Sequence, residues 1–398
     1  MTSSPFFLQP NLSYHCTNCG KCCGDHWSLH LDNPTLDRMK KSWTVQTPKM
    51  ESSQDFYVQT KESPPEYVFK CVEGKCVFLD DQNLCVMHKE WGFLQKAPNC
   101  MQYPFTFTRA PDGIRVGLLF SCEGVALADP QIYPIPLEEA QQIFPVAREI
   151  VEIGETVPLT LEKQIPFTDY QFLEKIYFQL LERDPLEDAL ISYGLLLDDF
   201  VKTSKMPQET LIPFYLEKSK KYSGNLRSQR SFVLTMITLL DAMRHGSSSL
   251  GFLRLFQNQM KAWFNQGVIP VHDVGQIPMK GLEKIPFPPA EEERLRTFLI
   301  QLVWRRRLLP RVSIYRGFRL ICIYYSLIRF LARGLTALEG KSEISKEILL
   351  QTLDLMERYY ISHNKFTDAF DPGSPYSSFF NTLFYNSALI PILVRSHL

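Results

Sequence analysis

Four thiols stand within eight residues near the N-terminus, in the run Cys16-Thr17-Asn18-Cys19-Gly20-Lys21-Cys22-Cys23. Thiolate sulfur is a soft, strong ligand for zinc and for iron–sulfur clusters. A gap of two residues lets successive sulfurs converge on one centre while the intervening amides point at them. Gly20 suits a chain that wraps an ion, because such turns call for positive φ. Cys76, Cys85 and Cys100 add three more sulfurs downstream. A tetrahedral zinc or a cubane cluster takes four protein ligands. The seven candidate ligands Cys16, Cys19, Cys22, Cys23, Cys76, Cys85 and Cys100 therefore exceed one mononuclear site. Adjacent side chains diverge, so Cys22 and Cys23 do not both face one ion with ease. The expected shell draws two or three thiolates from the opening run and the rest from the later cysteines. Either two ions bind, or one centre binds and the surplus thiols stand beside it.

Zinc and iron–sulfur readings both remain open. Cys16, Cys19 and Cys22 reproduce the C-x2-C-x2-C half of a bacterial ferredoxin run, which needs a remote fourth ligand and leans the reading slightly to iron–sulfur. The Cys76/Cys85 pair is more in the manner of a zinc ribbon. Cys71 and Cys122 read equally as ligands and as buried structural thiols, whereas Cys322, inside Leu320-Ile-Cys-Ile-Tyr-Tyr, reads as core. His88 follows a candidate ligand closely, yet such a histidine more often bonds a backbone group. His15, His26 and His30 flank the first cluster and read as supporting or surface residues. Arg305-Arg306-Arg307, with Arg311, Arg316 and Arg319 nearby, reads as a solvated helix C-terminus rather than an anion site. No G-x-G-x-x-G after a strand, Walker loop, G-x-S-x-G or H-E-x-x-H occurs, so dinucleotide, phosphate, hydrolase and zincin readings fall away.

Ten cysteines in 398 residues, nine of them between Cys16 and Cys122, are too few and too unevenly placed for a disulfide scaffold. The 43 basic and 43 acidic residues cancel, which removes any general attraction to nucleic acid or a membrane surface. The N-terminus lacks a basic segment followed by an apolar core, and the most apolar windows, Phe232 to Leu240 and Leu320 to Leu331, are too short or too charged to span a bilayer. The expectation is a soluble cytoplasmic protein, with no nucleic-acid or membrane partner.

Length and patterning predict an α+β chain: a small cysteine-rich metal-binding domain with short hairpins at 11–127, then a mostly α-helical domain at 137–398. The first domain is expected to hold a short strand at Trp27–Asp32 and a helix opening at Asn33-Pro34-Thr35. Residues 44–66 are expected to form a surface insertion. A hairpin should carry Cys76 and Cys85 near its two ends around the Asp80–Asn83 turn, and a second should join Phe105–Thr108 to Ile114–Phe120. A proline-rich stretch, 129–136, marks the boundary. Beyond it, helices are expected from Leu137, along the stripe of Phe172 to Leu181, along Phe232 to Met243, and over about 186–203, 209–221, 250–265, 290–308, 315–335, 343–361 and 377–390. Residues 266–289, with five prolines, read as an irregular connector.

The three blocks Cys16-x2-Cys19-Gly20-x-Cys22-Cys23, Cys76-Val-Phe-Leu-x5-Cys85-Val-Met-His88 and Pro98-x-Cys100-x2-Tyr103-Pro104-Phe105 together resemble the CxxCxxCC, or YkgJ-type, cysteine-cluster family of zinc- or iron-chelating proteins. The resemblance covers roughly the first 125 residues and implies chelation by the seven cysteines named above, with no established reaction. Some relatives in this broad group are named flagellin lysine N-methylases. That likeness implies an alternative activity, protein lysine methylation with S-adenosylmethionine and an iron–sulfur cluster, although no residues here can be assigned to the methyl donor. On the metal-binding reading the helical domain serves as a platform for a partner or protein substrate.

Overall fold

A computed structural model of the chain describes residues 5–9, 12–24, 29–61, 64–126, 132–222, 257, 260, 267–271, 274–310, 312–362 and 389–395. Two compact units result, Met1–Val151 and Glu152–Leu398. The first is mixed in secondary structure and holds the clustered cysteines; the second is mostly helical.

In the first unit the elements run β1 (Phe6–Leu8), α1 (Asn33–Ser42), β2 (Tyr57–Gln59), β3 (Tyr67–Phe69), β4 (Cys71–Val72), β5 (Lys75–Cys76), α2 (Val86–Trp91), α3 (Pro98–Gln102), β6 (Phe105–Ala110), β7 (Gly113–Leu118), α4 (Glu123–Ala126), α5 (Leu137–Ile143) and β8 (Ile150–Glu152). The aromatic and β-branched residues of β6 and β7 suit a pleated surface. They pair antiparallel from Phe105↔Leu118 to Ala110↔Gly113. β1 adds in parallel to β7, and the sheet order is β1-β7-β6-β8. The unit boundary therefore falls at 151/152, beyond the proline-rich stretch, because β8 belongs to the same sheet as β6.

Residues 44–66 are not a surface insertion. Phe56 is fully buried and Met50 nearly so, β2 pairs with β3, and Lys70 N donates to the Phe56 carbonyl. Thr47 Oγ1 donates to the Val77 carbonyl at 2.7 Å, and Lys49 Nζ to that of Leu79 at 2.6 Å. The polar composition hides a few apolar anchors that close one side of the core around Trp43, Phe69 and Phe78. The expected strand at Trp27–Asp32 is, over its described part, one bridge between His30 and Val68.

The second unit opens with a hairpin that periodicity did not announce, β9 (Thr156–Pro158) against β10 (Gln164–Pro166). Then come α6 (Phe167–Arg183), α7 (Leu186–Thr203), α8 (Ile212–Ser219), β11 (Val268–Val271), β12 (Gly275–Pro278), α9 (Pro289–Trp304), α10 (Ile314–Leu338), α11 (Lys346–Met356) and α12 (Leu389–Val394). The stretch expected to be irregular instead forms the β11–β12 ladder, Pro270 and Pro278 being tolerated in a ribbon of only two strands. The Phe232 to Met243 stripe lies outside the described residues, as do His26, Arg311 and most of the helices expected at 250–265 and 377–390. α10 is capped by Ser313, whose Oγ accepts from Arg316 N. Its length and composition would suffice to cross a membrane, but 94% of the apolar window is buried inside the protein, and α10 serves as the core helix of this unit.

The arginine run is not solvated. Arg305 and Arg306 are buried, the first paired with Glu357 at 2.9 Å and the second bidentate to Glu174 at 2.9 Å. Tyr170 Oη also donates to Glu174, at 2.7 Å. Arg319 and Tyr315 both bond Asp198 Oδ1, at 2.5 and 2.7 Å. A nearby cavity of about 40 Å³ is lined by Tyr170, Glu174, Tyr177, Tyr193, Arg306 and Phe318.

Candidate metal centre

Backbone pairing, rather than long-range side-chain contact, brings the separate cysteine blocks together. The opening run closes in a single 3-10 turn, Lys21–Cys23, entered through Gly20 at φ 72°. A Cβ on Gly20 would lie 3.0 Å from Asn83 Oδ1 and 3.1 Å from Leu79, so glycine serves here both the left-handed turn and the packing of this loop on the 79–83 turn. The next residue, Gly24, bridges Lys75, which sets Cys23 beside Cys76. Cys71 and Cys76 are direct partners across β4 and β5, joined through Glu73 and Gly74, both at positive φ as a tight two-residue hairpin demands.

The expected Cys76/Cys85 hairpin takes a different form. β5 pairs backward with β4, and the Asp80–Asn83 turn returns the chain so that Leu79 bridges Cys85. Asp80 Oδ1 ties that turn by accepting from Gln82 N at 2.9 Å and Leu84 N at 2.8 Å. Cys85 then caps α2, and Cys100 sits in α3, opened by Pro98 in its first turn.

The result is one apolar core in which Cys76 is buried and Cys23, Cys71, Cys85 and Cys100 pack against it. Cys23 lies within electrostatic reach of Cys22, Cys76 and Cys85; Cys76 of Cys100, Cys85 and Cys71; and Cys100 of Cys85 and Cys22. Burial pushes the Cys76 thiol well up and that of Cys100 up to about 12, so without an ion both are neutral. The Cys22 and Cys23 sulfurs are 3.9 Å apart, and their mutual hydrogen bond, followed by burial, holds the Cys23 thiol protonated. The same bond, with the ammonium of Lys96, lowers Cys22.

Cys16 and Cys19 fall elsewhere in the unit. Cys16 is exposed, and Cys19 faces Glu123 and Cys22. Cys122 lies within reach of Cys19 and Cys22, its thiol pushed up to about 12 by burial. Cys322 is buried in α10 of the helical unit. Of the histidines, His15 stacks on Tyr133 at 4.2 Å, His30 Nδ1 meets Glu66 at 2.6 Å, and His88 packs edge-on against Phe93 at 5.8 Å. Spacing gave no hint of Lys96, a cation near Cys22, Cys100 and His88; only its place four residues before Cys100 would have drawn attention to it.

Among the described residues, no three His, Cys, Asp or Glu side chains already surround a single point, so ligation needs side-chain or loop adjustment about the gathered sulfurs. The donor chemistry fits zinc or iron: the groups are soft sulfurs, Cys76 is buried, and Cys23, Cys85 and Cys100 are partly buried against the same core.

Comparisons with known proteins agree with that chemistry. An uncharacterised protein of Methanocaldococcus jannaschii is 26% identical over 189 residues, which span 43% of this chain and 63% of that relative, less than two thirds of its length. No solved structure matches. Residues 15–116, which carry all seven candidate ligands, match the CxxCxxCC family, described as "Putative zinc- or iron-chelating domain".

Proposed function

We propose that the first unit is a metal-binding module that chelates zinc or iron through Cys23, Cys76, Cys85 and Cys100. One observation carries this reading: four sulfurs from three separate blocks of sequence pack on a single apolar core. Burial keeps Cys76 and Cys100 neutral without an ion, and each would exchange its proton for a metal bond on binding. A bound ion would supply cross-links between the 3-10 turn, the β4–β5 ribbon, α2 and α3, elements of two to six residues that are too short to be stable alone. Four thiolates suit a closed structural zinc, and equally an iron centre, which would add redox chemistry.

Anaerobic purification of the full chain followed by metal analysis and visible spectroscopy tests the reading. Stoichiometric zinc without colour, or iron with sulfur-to-iron charge-transfer absorption, supports it and separates the two forms. Protein that carries neither metal, and takes up neither when reduced and exposed to it, overturns it.

A further inference from the structure

In the β4–β5 ribbon Val72 lies opposite Lys75 and Cys71 opposite Cys76. A two-residue hairpin loop, here Glu73 and Gly74, is flanked by a hydrogen-bonded pair, and such pairs alternate with non-hydrogen-bonded ones along an antiparallel ladder. Val77 N donates to the Lys70 carbonyl at 3.0 Å, so the pair beyond the cysteines is hydrogen-bonded again. Cys71 and Cys76 therefore hold the non-hydrogen-bonded position between the two, where facing Cα atoms come to about 4.5 Å and side chains approach most closely. That spacing falls within the span of roughly 4.4–6.8 Å that a disulfide bridges. Partners across a ribbon share one face, and both side chains pack on the same apolar core, Cys76 buried and Cys71 partly so. Both are thiols in this structure.

We propose that Cys71 and Cys76 form a reversible cross-strand disulfide, and that its formation withdraws Cys76 from the Cys23/Cys76/Cys85/Cys100 centre. The linkage stands on the register of the ribbon; its effect on an ion rests on the reading of this unit as a metal binder. The oxidant is a small-molecule disulfide such as oxidised glutathione. In the metal-free chain the Cys71 sulfur, the less buried of the two, gives up its proton and attacks one sulfur of the reagent. The reagent's S–S bond breaks, and the expelled glutathione takes up a proton. The Cys76 sulfur, losing its own proton, then attacks the Cys71 sulfur of the mixed disulfide and expels the second glutathione, again as a thiol. Two cysteine thiols have lost two electrons and one external disulfide has gained them; excess reduced glutathione runs the exchange backward. A sulfur held in a disulfide is no longer a thiolate ligand, so three of the four proposed donors remain for an ion that takes four.

Trypsin separates the two thiols, since cleavage after Lys70, Lys75 and Lys89 places Cys71 in peptide 71–75 and Cys76 in peptide 76–89. Metal-free full-length protein is treated anaerobically with oxidised glutathione, alkylated, digested without reduction and mapped by mass spectrometry. The two peptides should be recovered joined, with fragmentation placing the bond on Cys76 rather than Cys85, and should part on reduction. A Cys71 peptide that is alkylated, still carries glutathione or is joined to another cysteine overturns the linkage. In a second arm, full-length protein loaded with zinc receives the same reagent, and released zinc is followed with a chromogenic chelator. Wild-type protein should lose its zinc as the link forms, while Cys71→Ser, or Cys71→Ala where serine is poorly accommodated, should retain it. Zinc held after the link has formed, or lost equally from the variant, overturns the withdrawal of Cys76. Protein that takes up neither zinc nor iron ends the metal reading, and the peptide map still decides the linkage.

Discussion

Both units bury ionisable groups, but in opposite states. The helical unit buries charges that are already matched: Arg306 with Glu174, Arg305 with Glu357, Arg319 with Asp198. The thiol unit buries Cys76 and Cys100 as neutral acids, Cys76 beside the thiols of Cys100, Cys85 and Cys71, and Cys100 beside Lys96 and the thiols of Cys85 and Cys22. A closed set of ion pairs is complete as it stands and reads as architecture. A core stocked with protonated donors is incomplete, and the partner that completes it is a cation from outside the chain. The contrast teaches where function should be sought: in the small unit, where burial leaves a demand unmet.

That comparison can be broken most decisively by removing metal. Stripping the loaded protein with a strong chelator should unfold or loosen the first unit, because structural thiolate sites contribute on the order of 10 kcal/mol. Hydrogen exchange should show protection lost across β4, β5, α2 and α3 and retained in α6, α7 and α10; equal loss in both units would erase the distinction. Next in size, Glu174→Ala should destabilise the helical unit by roughly 3–5 kcal/mol in urea unfolding, since it leaves Arg306 buried with its main partner gone. The double replacement Glu174→Leu with Arg306→Met should recover most of that loss, and failure to do so would show that the pair is more than matched architecture. Met50→Ala should cost about 2–5 kcal/mol in the first unit alone, which tests whether residues 44–66 belong to the thiol core.

The smallest effect is on pH. Burial raises the folded thiol values of Cys76 and Cys100 above the unfolded value of about 8.5. Their contribution to the stability of the metal-free unit is therefore whole below about pH 8.5 and falls as pH rises towards the folded value, about 12 for Cys100. Thermal melts at pH 7 and pH 10 should show this alkaline loss in metal-free protein and not in loaded protein, whose sulfurs are already deprotonated. Metal affinity should rise over the same range, because binding releases thiol protons and their release is favoured as the proton concentration falls.

Much of the helical unit was legible in its 3.6-residue periodicity, to the residue in the case of α7 (Leu186–Thr203). The β9–β10 and β11–β12 ribbons were not, since strands of three or four residues hold too few positions to establish a period of two, and their prolines look like punctuation. The arginine run misled for a different reason. Nothing in Arg305-Arg306-Arg307 indicates that Glu174 and Glu357, 132 and 52 residues away, will meet it in the interior. Phe56 and Met50 were similarly masked by the polar residues and prolines around them.

By itself the sequence determined the chemistry of the candidate centre, because ligand softness is a property of residue type and the C-x2-C-x2-C-C spacing restricts what those sulfurs can surround. It also determined most of the helices, because amphipathic periodicity is local. Tertiary structure alone decided which sulfurs are neighbours: the Gly24–Lys75 bridge joins Cys23 to Cys76, and the Gly124–His15 contact joins Cys122 to the opening loop. Such pairings depend on backbone hydrogen bonds between segments far apart in the chain, and no local pattern of residues encodes which distant segment will answer.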